Sequence, residues 1–178
     1  MCILGDAGIN YYLNMKDYLL KQILKNLPIT LFCIHGNHEE YPDRINSYIL
    51  KQWNDGYVYY EEEYPNLLFA MDGEVYNING KSCLAIGGAY SVDKYYRLAK
   101  GWMWFESEQL TDTIKNYIMG TLGKHSKFDL VLTHTCPINT EPRHKFLAEI
   151  DQSKVDKSME IFLQNVADKI SIYVRNNL

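Results

Sequence analysis

Ile29-Thr30-Leu31-Phe32-Cys33-Ile34 runs directly into His35-Gly36-Asn37-His38-Glu39. The first six residues are almost continuously apolar, the pattern of a strand covered on both faces. The next five place imidazoles, an amide and a carboxylate at that strand's C-terminal end, with Gly36 free to turn tightly. Buried strands of this type belong to layered α/β folds, where sites form beyond the carboxyl ends of the strands.

The flanking sequence extends this pattern. Cys2-Ile3-Leu4 is a short apolar strand that ends in Gly5-Asp6. Residues 11–26 are predicted helical, with Leu20, Ile23, Leu24 and Leu27 at helical spacing, and Pro28 ends the run. Asp43 is expected to cap a second helix presenting Ile45, Tyr48, Ile49 and Trp53, closed by Asn54-Asp55-Gly56. Residues 57–60, 67–70, 74–78 and 82–86 read as short strands of an antiparallel meander, with Asp72-Gly73 and Asn79-Gly80 as hairpin turns. Helices are then expected over 92–100 and 107–119, a buried strand over 128–133, a helix over 154–169 and a last strand over 170–174. The predicted fold class is α/β, a layered sandwich of mixed sheets with helices outside.

Composition bounds the class. The chain has 178 residues, 47% hydrophobic and 22% charged, which fits one globular domain spanning 1–178 and excludes a disordered or collagen-like chain. Cys2, Cys33, Cys83 and Cys136 contain no C-x-x-C pair, so a zinc knuckle is unsupported, and the apolar settings of Cys33 and Cys83 read as buried thiols in a reducing compartment. The formal net charge of -4 disfavours nucleic acid as a partner. The stretch from Asn26 to Glu39 is too short and polar to span a bilayer, and no secretion signal precedes Cys2, so a cytoplasmic protein without membrane contact is expected.

Three strand ends carry candidate ligands: Asp6, then Asn37 within the His35–Glu39 block, then His134 after residues 128–133. Carboxylate, amide oxygen and imidazole together suit a divalent ion such as Mn, Fe or Zn. Each residue alone reads equally as a turn or cap residue. Their recurrence at three strand ends favours a site.

In order along the chain, Gly5-Asp6, Gly36-Asn37-His38-Glu39, Gly87-Gly88-Ala89-Tyr90-Ser91 and Leu132-Thr133-His134 resemble the motif series of calcineurin-like metallophosphoesterases. The block continuing through Val92-Asp93-Lys94-Tyr95-Tyr96-Arg97 resembles a bacterial and phage branch of that superfamily. The resemblance implies a β-sandwich flanked by helices, with two divalent ions (Mn, Fe, Zn or Mg) between the sheets. It makes Asp6 the bridging carboxylate, and Asn37 and His134 ligands of the second ion. It makes His38 the histidine that stabilises or protonates the leaving oxygen, and Glu39 a carboxylate that orients His38. Arg97, and after it Lys94, is a candidate phosphate contact, with an exposed helix charge as the competing reading for both.

The sequence also departs from that family. No Asp-x-His precedes Gly5-Asp6, and no Gly-His-x-His follows residue 174, where the chain reads Arg175-Asn176-Asn177-Leu178. The expectation is a domain lacking the family's first strand and final metal-binding loop, with weak binding of a single ion and little two-metal catalysis. The activity implied is hydrolysis of a phosphomonoester or phosphodiester by a metal-activated hydroxide. The alternative is an impaired remnant acting as a binding module. The substrate class stays open among a phosphorylated small molecule, a phosphoprotein and a nucleotide, as does the oligomeric state. A nucleotide-binding α/β domain ranks last, because neither G-x-G-x-x-G nor G-x-x-x-x-G-K-[ST] is present. The aromatic segment Tyr95-Tyr96 with Trp102-Met103-Trp104-Phe105 reads as a lid, an association patch or a helix packed on the core.

Overall fold

A computed structural model describes residues 1–125, 127–146, 148 and 150–172. The chain opens with strand β1 (Cys2–Leu4), helix α1 (Met15–Leu24) and strand β2 (Leu31–Ile34), and β2 lies parallel to β1 with Cys33 opposite Ile3. Strands β3 (Ile49–Trp53), β4 (Gly56–Tyr60) and β5 (Leu67–Ala70) complete a five-stranded sheet in the order β1-β2-β5-β4-β3. A second sheet holds β6 (Val75–Ile78), β7 (Lys81–Ile86) and β9 (Leu130–Thr133), with the two-residue β8 (Lys127–Phe128) preceding β9 and paired with β10 (Ser171–Ile172). Helix α2 (Lys94–Lys100) follows β7. Helices α3 (Asp112–Lys124) and α4 (Ser158–Lys169) flank the second sheet.

Alternation along β2 builds two layers of core at once. Phe32 and Ile34 face the second sheet and pack with Val58, Leu68, Tyr76, Cys83 and Ala85. Leu31 and Cys33 face the other way, with Ile9, Tyr48, Tyr64 and Phe69. On the far side of the second sheet, Leu84 and Ile86 pack on Ile118 of α3 and on Met159, Leu163 and Val166 of α4. The result is the expected four-layered α/β/β/α sandwich.

Several elements differ from the sequence reading. Asp43 lies in a 3-10 turn (Pro42–Arg44), and the predicted second helix is instead strand β3. Asn54 and Asp55 both have positive φ, 49° and 74°, and form a two-residue hairpin turn that pairs Trp53 with Gly56. That turn chemistry overrode the helical spacing, and Trp53 is free to stack on Phe32 at 4.9 Å.

The four middle strands do not form one meander. Asn79-Gly80 is a hairpin turn between β6 and β7, whereas Asp72-Gly73 carries the chain from one sheet to the other. Asp72 is buried there and accepts the Gly87 N–H at 2.5 Å, while Gly73 donates to the Ala85 carbonyl. Buried partners, not a tight loop, decide this segment.

Helix α1 turns Asp17 and Lys21 inward: Lys21 Nζ lies 2.6 Å from Glu61 Oε2, and Asp17 accepts the Leu13 N–H. Of the apolar face predicted for it, Leu24 reaches the core, and Ile23 is 66% exposed. The predicted strand over 128–133 breaks at Asp129, whose carboxylate accepts the Ser82 N–H. Helices α2, α3 and α4 begin two to five residues later than predicted, α3 at the Thr111 cap. Residues 173 and 174 of the predicted last strand lie outside the described residues.

Burial of Asp72 raises its carboxyl from 3.8 to about 6, opposed by the hydrogen bonds from Gly87 and Tyr41. The folded state therefore binds more protons than the unfolded chain between these values, and stability falls as pH rises through about 6. Asp72→Asn keeps an acceptor for Gly87 and removes the charge. Urea unfolding at pH 4 and pH 7 should show a pH dependence weaker than wild type by up to about 3 kcal/mol. Identical dependence in the two proteins would show that Asp72 does not titrate in this range.

Candidate active site

The parallel strands β1 and β2 of the first sheet end at the same edge of the sandwich as β7 and β9 of the second. Gly5 and Asp6 leave β1 with φ of 93° and 51°. A side chain on Gly5 would sit 1.9 Å from His134 Nδ1, so glycine here makes room for that ring. Asp6 tolerates the left-handed region better than most residues. Its Oδ1 accepts the His38 N–H at 2.9 Å. A Cβ on Gly36 would fall 2.2 Å from both Asp6 N and Asp6 Oδ1, so the loop after β2 lies directly against Asp6.

Asp6, Asn37 and His134 converge. His134 Nε2 is 2.7 Å from Asn37 Oδ1 and 3.6 Å from Asp6 Oδ1. His134 Nδ1 is 2.8 Å from the Leu4 carbonyl, which can only accept a hydrogen bond, so Nδ1 carries the proton and donates. In the neutral ring the Nε2 lone pair then points at the amide oxygen of Asn37. The amide is held in that orientation by Nδ2, which donates to Ser91 Oγ at 2.8 Å. Three electron-pair donors thus face one another, an arrangement that a shared cation stabilises. Neighbouring ligands of one ion at about 2.1 Å stand about 3 Å apart, so the set fits a divalent ion. A ligand histidine whose second nitrogen donates to a backbone carbonyl is the usual supporting arrangement. Among the described residues no group of three or more His, Cys, Asp or Glu gathers for an ion. The third member of this cluster is the amide oxygen of Asn37.

His38 stands beside the donors, about a third exposed, with Nδ1 4.0 Å from Asp6 Oδ2 and Nε2 3.6 Å from Asp93 Oδ1. Glu39 is fully buried, and its carboxylate makes no hydrogen bond to the His38 ring. Its Oε1 accepts the Gly36 N–H at 2.9 Å, and the amides of Asp6 and Ala7 also favour its charged form. Burial outweighs them and pushes its carboxyl up to about 7. Glu39 therefore shapes the loops that carry Asp6 and Asn37. His35 is fully buried, edge-on to Tyr41 at 4.7 Å, and burial drives its pKa down to about 3. It is neutral packing under the site.

Arg97 is 3% exposed, not an exposed helix charge, and its guanidinium donates to the Met103 carbonyl and the Tyr11 hydroxyl. Lys94 lies 3.9 Å over the Trp104 ring. In the aromatic segment Phe105 is buried and Trp104 donates to Glu108, while Tyr95 and Trp102 are exposed. The sequence reading quoted Ser91 and Asp93 within its motif blocks without giving either a role, and it did not single out Glu108. The signal was the fourth strand end: β7 delivers Gly87-Gly88 to the same edge, and the loop beyond it carries Ser91 and Asp93. Glu108 is buried and accepts the Ser91 N–H at 3.3 Å.

The structure is thus a layered α/β sandwich that gathers a carboxylate, an amide and an imidazole at its strand ends. The chain matches the family model for calcineurin-like phosphoesterase over residues 2–166, and it belongs to that family. It is thus a member of a family of metal-dependent phosphoesterases that bind divalent ions. No curated protein and no solved structure matches it. Among the described residues no helix is long and apolar enough to cross a membrane.

Ser91→Ala releases the Asn37 amide from its orienting contact. Calorimetric titration with Mn²⁺ should show affinity reduced roughly 10- to 100-fold, the usual cost of losing such a support. Unchanged affinity would show that Asn37 needs no help from Ser91.

Proposed function

We propose that this protein hydrolyses phosphomonoesters or phosphodiesters with Asp6, Asn37 and His134 holding a divalent ion and His38 serving the leaving oxygen. The observation that carries this reading is the convergence of Asp6 Oδ1, Asn37 Oδ1 and His134 Nε2 beside the partly exposed His38 ring. A divalent ion bound there supplies a water of lowered pKa and positive charge for the phosphoryl oxygens.

The chain's own residues do the rest. The Leu4 carbonyl fixes the His134 tautomer by accepting a hydrogen bond from Nδ1–H, so Nε2 keeps its lone pair for the ion. Asp6 turns one oxygen to the His38 amide, which couples the loop carrying the acid to the loop carrying the ligand. His38 offers solvent and substrate an imidazole within one residue of Asn37, and a proton held on its ring goes to the departing oxygen. Backbone contacts at Gly5 and Gly36 keep these groups in place without side-chain freedom to lose on binding. The phosphorylated partner is a small molecule, a phosphoprotein or a nucleotide, and the three donors serve one ion, with Mn, Fe, Zn and Mg as candidates.

The test is turnover of p-nitrophenyl phosphate and bis-p-nitrophenyl phosphate by the purified chain with Mn²⁺. Activity should require the ion, vanish with chelator, and fall about 100-fold or more in His38→Ala. Metal binding without turnover of either ester would sink the enzymatic reading and favour a binding module on the same fold.

A further inference from the structure

Asp93 sits where a helix cap belongs and does not cap. It occupies the residue before α2, the position at which an aspartate usually accepts from the first-turn amides. Its side chain makes no such bond. Oδ1 is buried and accepts no hydrogen bond, and the donor it faces is His38 Nε2 at 3.6 Å. Oδ2 lies 3.9 Å from Arg97 Nη1, one helical turn on. Arg97 has little freedom: Nε donates to the Met103 carbonyl at 2.8 Å, Nη2 donates to the same carbonyl and to Tyr11 Oη, and the guanidinium lies 5.3 Å over the Tyr11 ring.

A carboxylate oxygen held out of water without a donor carries a desolvation cost. Such a cost persists where another group uses the oxygen. The His38 ring supplies that group. It stands between two carboxylates, Asp6 on the Nδ1 side at 4.0 Å and Asp93 on the Nε2 side. The 3.6 Å separation is longer than a hydrogen bond, and a tilt of about half an ångström by this partly exposed ring closes it.

We infer that Asp93, braced by Arg97 and Tyr11, is a positioning residue for His38. Resting on the phosphoesterase reading above, its task is to accept a hydrogen bond from Nε2–H and so turn Nδ1 toward the reacting oxygen. The proton on Nδ1 then passes to the leaving oxygen as its bond to phosphorus breaks. The Nε2 proton remains between His38 and Asp93 throughout. Arg97 takes part through Asp93 and not through phosphate.

The experiment uses the full chain with Mn²⁺ and two esters, phenyl phosphate with a poor leaving group and p-nitrophenyl phosphate with a good one. Asp93→Asn should lower kcat about 10-fold or more on phenyl phosphate and clearly less on the nitrophenyl ester, with KM unchanged. Asp93→Glu should recover part of the loss, and Asp93→Asn should add nothing in a His38→Ala background. A second readout needs no turnover: long-range ¹H–¹⁵N spectra of the metal-free protein should show the His38 proton on Nε2 in wild type and a lost preference in Asp93→Asn. Equal losses on both esters, multiplicative losses with His38→Ala, or an unchanged tautomer would overturn the inference. Should the wild type hydrolyse neither ester, the phosphoesterase reading falls, and the tautomer alone decides whether Asp93 holds His38.

Discussion

His134 leaves the end of β9 in one sheet and hydrogen-bonds the Leu4 carbonyl at the end of β1 in the other. That contact joins the two halves of the sandwich at the edge where the donors gather, and it sets the ring tautomer in the same stroke. It requires glycine at position 5, because any side chain there would occupy the ring's place. Gly36 plays the matching part between the β1 and β2 loops. The donor geometry is therefore a property of sheet packing, and the two glycines are its conditions.

Several charged side chains are buried in the sandwich. Glu39, Asp72, Arg97 and Glu108 are all buried; Glu39, Asp72 and Glu108 hold backbone amides of the loops after β2 and β7, and Arg97 holds the Met103 carbonyl. Burying them costs energy that an apolar core would not. What they give in return is a fixed course for loops that have little regular structure of their own. The loop after β7 shows this most plainly: Ser91 and Asp93 are held from below by Glu108 and Arg97 and face upward to Asn37 and His38.

The fold was legible where local chemistry and burial agree. The apolar run of β2 and the Asn79-Gly80 turn needed no tertiary information. Asp43 to Trp53 was misread because apolar spacing there fits a helix, and only the left-handed Asn54-Asp55 pair shows that the segment doubles back as a hairpin. Asp72-Gly73 carries a hairpin signature and spans two sheets, since its partners Gly87 and Ala85 lie more than ten residues away. For the site, Asp6, Asn37, His38 and His134 were visible as strand-end residues, and the structure gathers them. Glu39 could not be given its actual partners from sequence, because carboxylates next to a histidine look alike whichever way they point. Ser91 and Asp93 act across more than fifty residues of chain, a range that spacing arguments do not reach.

Helix α1 carries one further consequence. Its inward face is polar, so Met15, Leu19 and Ile23 form an oily stripe toward solvent. A formal charge of -4 is a thin electrostatic cushion between molecules that display such a stripe. Acid that brings the chain to its isoelectric point near 5.7 deflates the cushion and leaves the stripe untouched. The colloidal behaviour of this protein is thus governed at the opposite extreme from its chemistry: by what one helix shows to water, not by what the strand ends hold away from it.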